Sequence, residues 1–92
     1  FDAGDCAAMG LLDIVAADTA LEGAHGLAAE IADNAPLSLA GSKLVLEALA
    51  AGSAAPRHAE ISAIIDRAMN SADYREGARA FLDKRKPAFT GR

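Results

Sequence analysis

Asp73 and Glu76 stand one helical turn apart, a spacing that can bring two carboxyl groups to one bond as acid and base. The first turn of a helix gives the pair a simpler account. Ser71 just before them is a good N-cap, and negative charge is favourable at that end of the dipole. His25 and His58 are far apart in sequence, with no carboxylate at metal-ligand spacing beside either. A surface or helix-end role follows for both. The single Cys6 can neither close an internal disulfide nor anchor a Cys-rich zinc site, and it reads as a small apolar residue. Gly4, Gly10, Gly23 and Gly26 form no phosphate-cradling loop after a strand. Ser38, Ser42, Ser53 and Ser62 have no nucleophile-elbow context. By its own residues the chain carries no active site and no metal site.

The elements that would have to position these groups are helices. Asp2 N-caps a short helix, with Asp5 in a capping-box place and Gly10 as the stop. Leu11 to Ala16 is rich in branched residues and reads as one short strand or extended segment. Asp18 or Thr19 caps a second helix, whose Leu21, Ala24, Leu27, Ala28, Ile31 and Ala32 recur at helical spacing. Gly23 and Gly26 weaken its first turns, and Asn34 ends it. Pro36 suits the first turn of a third helix, from Pro36 to Ala51, apolar nearly all round and so expected to be buried on two sides. Pro56 opens a fourth, striped by Ile61, Ile64, Ile65, Ala68 and Met69. The last helix is capped by Ser71, carries Tyr74, Ala78, Phe81 and Leu82 on its apolar face, and is stopped by Pro87. The expected class is therefore mainly α, with at most one short strand near 11–16. A lone strand leaves its edges unsatisfied and calls for a larger parent.

Composition agrees. The chain has 92 residues, of which 52% are apolar and 24% charged, which excludes intrinsic disorder. Alanine supplies 24 of the 48 apolar residues and aromatics only 4% of the chain, so an isolated core would be thin. A helical segment that needs more chain or partner subunits is the expectation, and a start at Phe1 rather than Met agrees with it. Residues 1–46 hold seven acids against Lys43, and residues 47–92 hold six acids against eight bases. That division allows a local anion site near the end of the chain but not the broad basic surface of a nucleic-acid binder. No apolar run is long enough to span a membrane, and no secretory signal is visible. A soluble, cytoplasmic protein is expected, and the alanine bias suits a GC-rich bacterial source.

The last stretch, Ser71-Ala72-Asp73-Tyr74-Arg75-Glu76-Gly77 and then Phe81-Leu82-Asp83-Lys84-Arg85-Lys86-Pro87-Ala88-Phe89, resembles the C-terminal signature of the enoyl-CoA hydratase/isomerase (crotonase) superfamily. There the pattern is Ser-x-Asp-x-x-Glu-Gly followed by Phe-x-(Glu/Asp)-Lys-Arg-x-Pro-x-Phe. The opening from Asp2 to Asp13 is similar to the family's helix and Gly-Leu-Val step. Leu27-Ala28-Ala29-Glu30-Ile31-Ala32, Pro36-Leu37 and Lys43 match its middle. Asp83 replaces the commoner Glu, and Asp13 stands where Asn is frequent. The resemblance covers essentially the whole chain in order and spacing.

What the resemblance implies is a division of labour. The family's ββα-spiral core, with its oxyanion-holding N–H groups and the two glutamates of the hydratases, lies upstream of the matched segment. The chain would be the helical part that packs on the spiral and builds the trimer or dimer of trimers. Residues 1–17 would end the spiral core (a short helix plus strand), and residues 18–92 would form the oligomerising, CoA-contacting region. The parent would act on acyl-CoA thioesters, with hydration of a 2-enoyl-CoA in fatty-acid metabolism as the expected reaction, no covalently bound cofactor, and no activity in the 92 residues alone. Phe81 falls on the family's aromatic beside the CoA adenine and Lys84 on its basic residue beside the CoA phosphates. Spaced i, i+3, they would share a helical face, an aromatic plate beside an ammonium. The competing account makes Phe81 core and Lys84 a dipole partner. Arg85 and Lys86 are either phosphate helpers or a solvated tail. A free-standing, non-catalytic helical interaction module is the alternative for the whole chain, and an isomerase or thioester hydrolase is the alternative within the superfamily.

Overall fold

The computed structural model describes residues 1–92, which form five helices and no strand: α1 (Ala3–Ala8), α2 (Ala20–Ala32), α3 (Pro36–Ala50), α4 (His58–Met69) and α5 (Ala72–Leu82). The chain forms two compact units, Phe1–Ile31 and Ala32–Arg92.

The first unit is held by local chemistry. Asp2 Oδ1 accepts from the Asp5 N–H at 2.8 Å and Asp5 Oδ2 from the Asp2 N–H at 3.0 Å, the reciprocal capping box. At the other end of α1, Gly10 takes φ +74° while Leu11 N donates to Cys6 O and Gly10 N to Ala7 O, a Schellman stop. Leu11 to Ala16 runs without regular structure, because no second strand lies beside it to take its N–H and C=O groups. Thr19 rather than Asp18 caps α2: its Oγ1 accepts from the Glu22 N–H at 3.2 Å and donates to Glu22 Oε2 at 2.8 Å. Gly23 has a packing reason beyond its helix-weakening effect, since a Cβ there would lie 2.7 Å from the Cβ of Ala16. No residue of α1 or α2 is buried, and Leu11, Ile14, Val15 and Leu21 are exposed.

The second unit is built on α3 against α4, with α5 packed on α4. Its buried apolar residues are only Leu37, Ala48 and Ala80, as thin a core as alanine-rich helices imply. Leu46 and Leu49 of α3 stay exposed. α4 begins at His58 rather than at Pro56, because residues 54–57 form turns first. An exposed pair, Arg57 Nε to Glu60 Oε2 at 2.8 Å, closes that first turn, and this bond holds the Glu60 carboxyl below its ordinary range. Ser71 caps α5 as expected, accepting from the Tyr74 N–H at 2.9 Å while its hydroxyl donates to Ala68 O at 2.7 Å.

Candidate functional site

The C-terminal signature is, for most of its residues, a device for fastening the tail. Asp73 is 3% exposed. Its Oδ1 accepts from the Thr90 N–H at 2.7 Å and from the Thr90 hydroxyl at 3.3 Å, and its Oδ2 accepts from the Gly91 N–H at 2.7 Å. Its own N–H donates to Arg92 O at 2.9 Å. One residue thus satisfies both sides of the last three residues' backbone. Glu76 lies one turn further on. Arg85 grips it with both guanidinium arms, Nη1 to Oε1 at 2.6 Å and Nη2 to Oε2 at 3.0 Å, and the Ala88 N–H adds a third bond at 3.0 Å. The Arg85 bonds and then the Ala88 N–H pull the Glu76 carboxyl down to about 2. Gly77 completes the seat: a Cβ there would touch the Phe89 ring at 3.5 Å, so the flat ring settles onto bare backbone.

These contacts revise both sequence readings of Asp73 and Glu76. The two carboxylates are neither poised for acid–base chemistry nor mere dipole partners, because their oxygens are occupied by donors 9 to 18 residues away. An open, apolar groove of about 480 Å³ lies beside them, lined by Leu37, Ser38, Met69, Tyr74 and Phe89 among others, but the Asp73 oxygens are already taken by the tail. The tail then reaches the start of α3. Lys86 Nζ meets Asp33 Oδ2 at 2.6 Å, and Gly91, at φ +78°, runs close by Pro36.

Phe81 and Lys84 are the signature residues left over from this fastening. Phe81 sits on the last turn of α5 and is 83% exposed, so it takes no part in the core of this unit. Lys84 does not continue the helical face. α5 ends at Leu82, Asp83 is the C-cap, and Lys84 takes φ +52° as Arg85 N donates to Ala80 O and Lys84 N to Phe81 O. The shared i, i+3 face expected for the pair is replaced by a helix end and the turn that follows it. Gly10 and Gly52 fill the same place at the ends of α1 and α3, and Lys84 is the one non-glycine residue at positive φ. Such a conformation costs an L-residue about 1–2 kcal/mol. Of the three consecutive cations, Arg85 is engaged by Glu76 and Lys86 by Asp33, while the exposed Lys84 ammonium has no ion pair. Of these three, Lys84 alone has no carboxylate partner.

A segment whose signature fastens its own tail and leaves one aromatic and one cation outward has counterparts of known structure. An enoyl-CoA hydratase from Mycobacterium tuberculosis H37Rv superposes with a TM-score of 0.82 at 32% identity, over 100% of this chain and 37% of that one. Over its whole length the chain is similar in sequence and fold to enoyl-CoA hydratase/isomerase (crotonase-type) structures. An enoyl-CoA hydratase/isomerase family protein from Hyphomonas neptunium matches with a TM-score of 0.79 at 37% identity, over all of this chain and 35% of that one. An enoyl-CoA hydratase/isomerase from Mycobacterium paratuberculosis gives 0.75 and 32%, again over all of this chain and 37% of that one. The chain spans little more than a third of the length of these crotonase-fold proteins and corresponds to their C-terminal portion. Comparison with protein-family models and with curated proteins finds no match.

Within this crotonase-type segment, sequence reasoning found the signature but not its internal wiring. The Asp73 bonds to the tail, the Gly77 seat and the Asp33–Lys86 pair connect residues 12 to 53 positions apart, and no local pattern announces them. No group of His, Cys, Asp and Glu side chains is arranged to hold a metal ion, and no helix is long and apolar enough to cross a membrane.

Proposed function

We propose that the chain is the CoA-contacting and oligomerising region of an enzyme that acts on acyl-CoA thioesters, with hydration of a 2-enoyl-CoA in fatty-acid metabolism as its reaction. Phe81 packs on the adenine, and Lys84 meets the phosphates. Residues 1–17 end the spiral core and residues 18–92 form the helical region, which assembles a cytoplasmic trimer or dimer of trimers. Catalytic groups come from the upstream core, so the 92 residues alone are inactive. One observation carries this reading: in a signature otherwise committed to the fold, Phe81 and Lys84 combine exposure with freedom from the bonds that fasten the tail. The assembly part is supported by the apolar groove of about 460 Å³ between α3 and α4, lined by Val45, Leu46, Ile64, Ile65 and Met69 among others.

A lysine ammonium is protonated at neutral pH and a phenyl ring does not titrate, so neither residue can act as the general base. Their loss weakens binding rather than slowing chemistry. In the full-length protein, Lys84→Ala raises KM for the CoA thioester about five- to a hundredfold, as loss of a charged contact implies, and leaves kcat nearly unchanged. The control is a thioester lacking the adenine nucleotide. Equal damage to that shorter substrate rules the phosphate contact out.

A further inference from the structure

The Lys84 backbone sits between two fixed points: Phe81, at the end of α5, and Arg85, whose guanidinium is held in the Glu76 fork. Its positive φ is maintained on both sides, by the Lys84 N–H to Phe81 O at 3.3 Å and by the Arg85 N–H to Ala80 O at 3.0 Å. Glycine is the ordinary residue at this place in a helix stop, and the chain uses it at Gly10 and Gly52. A long cation is kept here against its local preference, next to an arginine that the fold neutralises. We propose that Glu76, acting through Arg85, is a positioning residue for Lys84. By pinning Arg85 it fixes the turn that aims the ammonium at the phosphates of a CoA thioester, and it keeps the neighbouring guanidinium from competing for them. This role rests on the CoA reading of Lys84 under Proposed function.

The depressed Glu76 carboxyl agrees, since the fork stays charged throughout the range in which such an enzyme works. Asp73 and Phe89 secure the rest of the tail through Thr90, Gly91 and Gly77. Glu76 holds Arg85 by two short bonds, against a single longer contact of 3.5 Å between Asp83 Oδ2 and Arg85 Nε, which makes Glu76 the principal link.

The test is a double-mutant cycle in the full-length protein, read as the dissociation constant for coenzyme A by calorimetry. Glu76→Gln keeps the shape and an acceptor for the Ala88 N–H but loses the charge that holds Arg85. Alone, it weakens coenzyme A binding about three- to tenfold, the scale of coupling between linked neighbours. In a Lys84→Ala background it adds less than twofold, because the group it positions is already gone. An undiminished effect in that background means that Glu76 serves only general structure and overturns the proposal, as does unchanged binding in the single variant. If Glu76→Gln does not fold, Arg85→Lys takes its place in the cycle, since it keeps the charge and loses the two-armed grip. The same loss and the same dependence on Lys84 are then expected, and their absence overturns the proposal equally. A Lys84→Ala variant that binds coenzyme A as tightly as wild type instead removes the CoA reading itself, and the positioning role falls with it.

Discussion

The first 31 residues and the last 22 are both short, helical and rich in caps, yet they are held by different kinds of contact. In the first stretch the side-chain bonds that cap the helices join residues three apart, Asp2 with Asp5 and Thr19 with Glu22. None of the residues in its helices is buried. In the last stretch a buried carboxylate and a two-armed ion pair bind residues 9 to 18 positions away. Capping chemistry decides where a helix starts and stops, but it buries nothing, so the first stretch keeps Leu11, Ile14, Val15 and Leu21 exposed for want of a neighbour. The clamp in the last stretch gives about twenty residues a tertiary structure with hardly any apolar core. Polar contacts can hold a tail in place of hydrophobic burial provided every oxygen and N–H involved is matched.

The two stretches differ most at Asp73. Asp73→Ala leaves the Thr90 and Gly91 N–H groups without their acceptor and is expected to destabilise the tail by about 2–3 kcal/mol. Asp2→Ala, which removes an exposed cap, costs about 1 kcal/mol. Hydrogen exchange on the full-length protein checks both. Protection at Thr90 and Gly91 collapses in the first variant, and only the first turn of α1 responds in the second. Equal, diffuse losses would show that the tail is not clamped as a unit.

Acid tests the second half of the clamp. The folded Glu76 carboxyl titrates at about 2 against an ordinary 4.5. A lowered folded value means stabilisation that is fully present above about 4.5 and is lost as pH falls through about 2. The difference in melting temperature between wild type and Glu76→Gln should therefore be constant from neutral pH down to about 4.5 and shrink below it. A difference that grows on acidification contradicts the assigned bonds.

How much of this could be read from the sequence follows the same division. The capping box at Asp2 and Asp5, the Ser71 cap and the Gly10 stop are written in residues three to five apart, and each is legible there. Residues 71–89 are recognisable as a family signature because their types and spacing are unusual, but their work is not legible. Asp73 in a helix's first turn looks like an ordinary dipole partner until Thr90 and Gly91 are seen to return to it. Lys84 looks helical by its spacing from Phe81. That the helix stops at Leu82 is decided by the Arg85 N–H reaching back to Ala80 O, a choice that local propensity for Lys and Arg does not signal. Leu11 to Ala16 shows the converse: branched residues favour extension, but a strand exists only where something pairs with it.

Two glycines sharpen the contrast within α2. Gly26 has nothing within 4 Å of where a Cβ would go, so Gly26→Ala gains helix propensity at no steric cost, about 0.5–1 kcal/mol. Gly23→Ala gains the same propensity but places its methyl 2.7 Å from Ala16 Cβ, and overpacking of this kind costs about 1–3 kcal/mol. The net loss at Gly23 is expected to be about 1 kcal/mol, opposite in sign to Gly26. Thermal melts of the two variants side by side check it. If both are stabilising, the close approach of Ala16 to α2 is wrong.

The smallest expected change in stability is the one that best separates binding from folding. Lys84→Gly relieves a left-handed L-residue, a gain of about 1–2 kcal/mol. It also frees the unfolded chain, a loss of about 0.4–1 kcal/mol, and removes a cation from the C-terminal end of α5, a loss of about 0.3 kcal/mol. The balance is a stabilisation of about 0.5 kcal/mol, a rise in melting temperature of roughly one or two degrees for a protein of ordinary domain size. Coenzyme A binding should fall as far as it does in Lys84→Ala. A cation kept only for the helix dipole would give the same small rise in stability but leave binding unchanged. A variant that is more stable and binds less well places Lys84 at that turn for its ligand, whereas one that keeps its affinity returns it to the fold.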